Sequence, residues 1–324
     1  MPSSKAALAF AMALGVAGAW SSRANAQQVA RGFAVERFYP SAAGGSWLVM
    51  DALDMRGELG GAVAISGGYA HASLRVSTTD GGDRLALVSH QSFAAVAVAA
   101  TYDRYRVYID LTGPLTIGGD SGSVGGHELT APSVQAGNDS FSDVRIGFDA
   151  RLLGGATSAF RLGAGVQLLV PSGAGADYVT DETYRAMGRV LFAGDVGFFG
   201  YAGHLGVHLR SRDEGPTAGA PQGNELLFGV AAGPRFAVTS DAQTVVVVGP
   251  EIFGATAFRS FLGTNATGLE ALLSGRIEGA GEHRAQLRVK LGAGGALNPH
   301  FGAPEWRMVL AIELFDRGLR PSPR

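Results

Sequence analysis

The side chains best equipped for chemistry are histidines, arginines and carboxylates set among glycine and alkyl residues. His204 and His208 stand four apart. On a strand they share a face but lie roughly 13 Å apart at a rise of about 3.3 Å per residue, too far to hold one metal ion. Structural histidines are expected. Gly118-Gly119-Asp120-Ser121-Gly122 is glycine-rich. It lacks the Lys-Ser/Thr and the strand-to-helix setting of a phosphate loop, so it reads as a flexible extracellular loop. His127-Glu128 has no second histidine four residues on, and the zinc-protease motif fails. No spacing singles out a serine, a histidine and a carboxylate as a hydrolytic set. The absence of cysteine excludes disulfides, thiolate chemistry and cysteine metal sites. No catalytic residue, metal ligand or cofactor is expected.

The polar residues are instead patterned. Val144, Ile146, Phe148, Ala150 and Leu152 alternate with Asp143, Arg145, Gly147, Asp149 and Arg151. Leu287, Val289 and Leu291 alternate with Gln286, Arg288 and Lys290, and Tyr105, Val107, Ile109 and Leu111 with Arg106, Tyr108 and Asp110. Successive side chains of a strand point to opposite faces, so each segment carries one apolar face and one polar or small face. If the apolar faces look outward, the inward set includes Arg106, Asp110, Asp143, Arg145, Asp149, Arg151, Arg161, Arg185 and Arg189. It continues with His204, His208, Glu270, Arg276, Glu278, Arg284, Arg288 and Lys290. Such a lining can form a pore that favours anionic or polar solutes. It can equally form a closed interior whose charges pair across strands. Gly60, Ala62, Gly147, Gly163 and Gly165 leave some room on that face.

Strands must position these residues. They are expected near 58–72, 84–100, 105–117, 142–153, 157–170, 184–196, 199–210, 224–236, 244–258, 268–279, 284–296 and 306–315. The connections alternate, with tight turns at 101–104, 154–156, 197–198, 237–243 and 280–283. Longer loops cover 73–83, 118–140, 171–183, 211–223, 259–267 and 297–305. Short turns on one side and long loops on the other describe a single antiparallel up-and-down transmembrane barrel of about 12 strands, spanning 57–316. A soluble sandwich shares the alternation. It has no reason to place its long loops on alternate connections, nor to use strands this long. Tyr102 with Tyr105, Phe198-Phe199-Tyr201, Phe258 with Phe261, and Trp306 sit near strand ends, where aromatic girdles meet lipid headgroups.

The rest of the chain frames this barrel. Lys5, the apolar run Ala6 to Trp20 and Ala24-Asn25-Ala26 read as a signal peptide over 1–26. The mature part then carries 24 basic residues (26 less Lys5 and Arg23) against 28 acidic ones, which argues against a nucleic-acid binder. Residues 27–56 do not alternate and are expected outside the sheet, in the periplasm or as a plug, although Trp47-Leu48-Val49-Met50 resembles a strand. A periplasmic tail is expected over 317–324.

Val35-Glu36-Arg37-Phe38-Tyr39-Pro40-Ser41, the stretch from Trp47 to Gly57 (WLVMDALDMRG), and Gly302-Ala303-Pro304-Glu305-Trp306-Arg307 carry a family resemblance. They resemble the N-terminal barrel modules of some outer-membrane protein A family proteins. Those modules are similar to outer-membrane barrels of the phenol meta-degradation pathway, described as transporters. The resemblance covers most of the mature chain and implies a transport barrel, without any established chemistry at its motifs. In the longer relatives acidic repeats and a peptidoglycan-binding domain follow the barrel, and no such anchoring role is expected here. The function expected is a passive channel or transporter for small molecules in the outer membrane of a Gram-negative bacterium, with a non-conducting structural or surface-interaction barrel as the alternative. Outer-membrane lipid, small solutes and, during insertion, the barrel-assembly machinery are the expected partners.

Overall fold

The alternation of alkyl and polar residues folds as expected, into strands that are apolar outside and polar inside. In the computed structural model, residues 34–78, 84–125, 127–132, 142–172, 178–211, 223–238, 244–279, 285–300 and 302–316 are described. The expected signal peptide, residues 27–33, Arg284 and the tail 317–324 lie outside them.

The barrel strands are β1 (Gly60–Ser77), β2 (Arg84–Tyr102), β3 (Tyr105–Gly118), β6 (Val144–Leu153), β7 (Arg161–Val170) and β8 (Arg185–Val196). They continue as β9 (Phe199–Arg210), β10 (Glu225–Ala237), β11 (Thr244–Ala257), β12 (Thr267–Gly279), β13 (Ala285–Asn298) and β14 (Trp306–Asp316). Each pairs antiparallel with the next, and β14 closes on β1 with Ala62 opposite Phe315 and His71 opposite Trp306. The result is a closed barrel of 12 strands with no free edge. Val96, Val98, Val107, Ile109, Val166, Leu205, Leu310 and Ile312 are among the large apolar side chains exposed on its outside. Tyr102, Tyr105, Phe198 and Phe199 are exposed at the short-turn end, and Trp306, Phe258 and Phe261 at the long-loop end. An apolar surface on this scale, ringed by aromatics, is that of a barrel immersed in a bilayer.

Three departures from expectation have local causes. The first long loop is short, because β1 runs on to Ser77, opposite Arg84 at the expected start of β2, through register shifts after His71 and Leu74. Residues 157–160 form a turn, not the start of a strand: Ser158 N bonds Gly155 O, and Arg161 Nη1 holds Ala156 O at 2.6 Å. The glycine-rich loop after β3 contains a hairpin, β4 (Gly122–Val124) and β5 (His127–Leu129). Val124 and Leu129 pack with Leu87, Val88, Ile117, Tyr178 and Val179 into an apolar cap.

Candidate functional site

Residues 34–55 do not form a strand, and most of them are buried in contact with the inner wall. Phe38, Trp47, Leu48, Val49 and Met50 share one apolar cluster with Phe93 of β2, Val247 and Phe253 of β11 and Val309 of β14. The strand-like run at Trp47–Met50 satisfies its backbone on a side chain. Glu251 of β11 accepts the N–H of Leu48 at 2.8 Å and of Val49 at 2.9 Å, with Met50 N at 3.4 Å.

The small wall residues are seats for this segment. A Cβ on Gly163 would meet the Leu53 side chain, one on Gly229 Met50, and one on Gly292 Leu48, while Ala62 Cβ lies against Gly44. Leu53 adopts a left-handed backbone, φ 55°, to reach its place. Over Gly147 and Gly165 the space is taken by Tyr108 and Asp149. The room expected over Gly147, Gly163 and Gly165 is therefore filled, while a cavity of about 40 Å³ remains beside Ala62.

The inward charges pair with each other and with the segment. Asp51 accepts Arg106 Nη2 of β3 at 2.8 Å and Arg189 Nη1 of β8 at 3.4 Å. Asp149 of β6 takes the same two guanidiniums at 2.6 and 3.1 Å. Burial alone would raise the Asp51 carboxyl, but Arg106 and Arg189 hold it below the ordinary carboxylate value. Arg151 of β6 donates to the carbonyls of Leu53 and Met55 at 3.0 and 2.6 Å. On the opposite wall Arg288 of β13 bridges Glu278 at 2.7 Å and Glu313 at 3.2 Å, and donates to Gly44 O and Gly45 O. Lys290 reaches Glu313 at 2.5 Å and Trp47 O at 3.1 Å. Arg276 donates to Ser46 O and stacks over Trp47, its guanidinium carbon 5.1 Å from the ring centroid.

Nearer the long-loop end, Arg307 of β14 pairs with Glu270 at 3.0 Å and Glu36 at 2.7 Å, over the Phe38 ring. Arg37 pairs with Glu225 of β10 at 2.8 Å, and Arg210 of β9 bridges Glu225 at 2.5 Å and Asp181 at 2.7 Å. Burial opposes ionisation of Asp181, yet Arg210 and Arg185 bring it down to about 2. Arg185 joins Asp143 at 2.7 Å and Arg145 joins Asp110 at 2.9 Å. Arg161 pairs with Asp195 at the short-turn rim. His208 lies 3.4 Å from Glu225 and edge-on to Tyr39. His204 lines a small cavity of about 20 Å³ with Arg189, Gln167 and Tyr39, enough for about one water. Among the described residues no group of three His, Asp or Glu side chains is arranged to hold a metal ion.

Glu251, Glu225, Asp51, Arg37 and Arg307 are interior residues outside the inward set expected from the alternation. Glu225 and Arg307 continue the inward alternation of β10 and β14, a signal available in the sequence. Glu251 is the one charge of an otherwise apolar strand, which marks its inward face but not its partners, and Asp51, in an aperiodic segment, offers no signal.

No family model and no curated protein matches the sequence. Solved structures similar to it are outer-membrane barrels. One is an outer-membrane channel from Pseudomonas putida F1, 14% identical, covering 80% of this chain and 96% of the other at a TM-score of 0.47. Another is the NanC porin, 8% identical, covering 78% and 98% at 0.46. A third is the beta domain of the Bordetella autotransporter BrkA, 11% identical, covering 79% and 99% at 0.42. Identities this low carry no statement about what a barrel passes.

Proposed function

We propose that this protein is a channel for small polar molecules in a bacterial outer membrane, closed in the present state by residues 34–55. One observation carries the reading: the lumen filling is no part of the sheet. Every barrel strand has both its partners without residues 34–55, and the segment is held by side chains. Its departure costs the barrel no ladder hydrogen bond and uncovers a wall of both charge signs, rich in arginine. The resemblance of residues 35–41 and 47–57 to barrel modules that are in turn similar to transport barrels agrees with this. Lipid is the partner of the outer face.

A second reading has its own support. The charges pair closely enough for the interior to serve as a permanent core of a structural barrel. Proteoliposomes separate the two. Vesicles with protein lacking residues 27–55 are expected to release an entrapped small sugar much faster than vesicles with the full chain. Equal retention by both, with heat-modifiable gel mobility confirming folded barrels, would favour the structural reading.

A further inference from the structure

We propose that residues 34–55 thread the lumen from the long-loop mouth to the short-turn mouth, amino end outward. They then vacate it only toward the periplasm, and a protein bound just ahead of Ala34 on the outer side holds them in place. The direction of exit rests on the channel reading; the threading does not.

The amino end is fixed among the long loops, which in an outer-membrane barrel face the cell exterior. Ala34 gives its N–H to Asp181 at 2.8 Å, and Val35 gives its own to the Tyr178 carbonyl at 3.1 Å, both in the connection between β7 and β8. Val35 also belongs to the apolar cap, with Val124 and Leu129 of the β4–β5 hairpin. Gly302, between β13 and β14, holds a left-handed φ of 87°, and a Cβ there would run into the Val35 carbonyl. Three long connections therefore converge on residues 34 and 35.

The other end lies at the opposite mouth. Arg151, whose own N–H bonds Arg104 O in the tight turn after β2, holds the carbonyls of Leu53 and Met55. Met55 and Arg56 line the cavity of about 40 Å³ with Thr101 near the end of β2 and Asp316 at the end of β14. Only Gly57, Glu58 and Leu59 separate Arg56 from β1, which starts at Gly60 opposite Thr101.

Covalent continuity sets the direction. Residues beside Gly57 are tied to the short-turn rim, so a segment drawn outward would still run through the lumen to reach them. Retreat through the short-turn mouth alone empties the barrel. It breaks the pairs of Glu36 with Arg307 and of Arg37 with Glu225, and draws the amino end along the whole wall. Twelve strands enclose less than the 16–18 that leave an aqueous porin channel. A folded protein attached ahead of Ala34 cannot follow, and the segment stays.

The test places one cysteine in a chain that has none. A cysteine within a short glycine–serine stretch inserted between Arg31 and Gly32 is compared with Gly57→Cys, where an added Cβ meets nothing within 4 Å. Bacteria carrying each form are treated with a polyethylene-glycol maleimide too large for porins, before and after the outer membrane is permeabilised. The inserted cysteine is expected to label on intact cells, and Gly57→Cys only after permeabilisation. No labelling of the inserted cysteine on intact cells, or labelling of Gly57→Cys there, would overturn the threading. With biotin on the inserted cysteine, streptavidin is expected to abolish single-channel openings in a planar bilayer; openings that continue would overturn the one-way exit. Surface labelling of a barrel that never opens would uphold the threading and remove the channel reading. A conducting barrel whose inserted cysteine labels only after permeabilisation would do the reverse.

Discussion

Glu251 takes the place of a strand for Leu48, Val49 and Met50, receiving backbone N–H groups in the middle of a membrane-type barrel. Buried N–H groups left without an acceptor cost about 1–3 kcal/mol each. Glu251→Ala should therefore loosen residues 34–55 while leaving the barrel folded. The readout is trypsin cleavage at buried Arg37, expected to be slow in the native protein and at least about tenfold faster in the variant. Unchanged protection would mean that the segment is held by packing alone. Asp181 makes a second residue-scale case. Its carboxyl sits at about 2 in the folded protein against an ordinary 3.8. A depressed carboxylate stabilises fully above its unfolded value, and the contribution is lost as pH falls through the folded one. The contribution is on the order of 2 kcal/mol. Hydrogen exchange around residues 178–185 should stay slow at pH 5 and rise steeply below about pH 3. Asp181→Asn should be less protected at pH 7 and lack that step. Neither carboxylate's role was legible in the sequence, since each depends on groups brought close only by barrel closure.

At the scale of elements, the strands were legible because an inside–outside sheet writes its period into the chain. β9 falls at 199–210 as expected, and β3 differs by one residue at its end. The boundary of β7 was missed because Ala156–Phe160 carries no breaker stronger than the hydrogen bonds that fold it into a turn. Small residues were legible as a face but not in purpose. Gly163 reads as spare room and instead seats Leu53, as Gly229 and Gly292, which the sequence did not single out, seat Met50 and Leu48. That contact is long-range and leaves no periodic trace. Gly292→Leu should displace Leu48 and free the segment, because overpacking a filled interior costs about 1–3 kcal/mol. Tryptophan emission should shift to the red as Trp47 becomes hydrated, with heat-modifiable mobility retained. No shift would show that the wall yields instead of the segment.

For the whole molecule, β-barrel closure and lumen filling are separable achievements of one chain. The outer face is apolar, and the inner face meets both itself and residues 34–55 through paired charges. Breaking one partner of a buried pair costs far more than the pair contributes, so release of the segment must leave Asp149, Glu278 and Glu313 to hold the wall arginines. They are placed to do so. The most direct test uses the natural absence of cysteine. Gly44→Cys with Ala62→Cys joins the segment to β1 at positions whose Cβ atoms would lie 3.1 Å apart, a few tenths of an ångström inside disulfide spacing, so the bridge forms once residue 44 shifts outward from its left-handed φ of 80°. Single-channel conductance is then recorded in a planar bilayer before and after reduction. The expected result is silence when oxidised and discrete openings when reduced. Steady conductance through the oxidised, latched protein would contradict closure by residues 34–55.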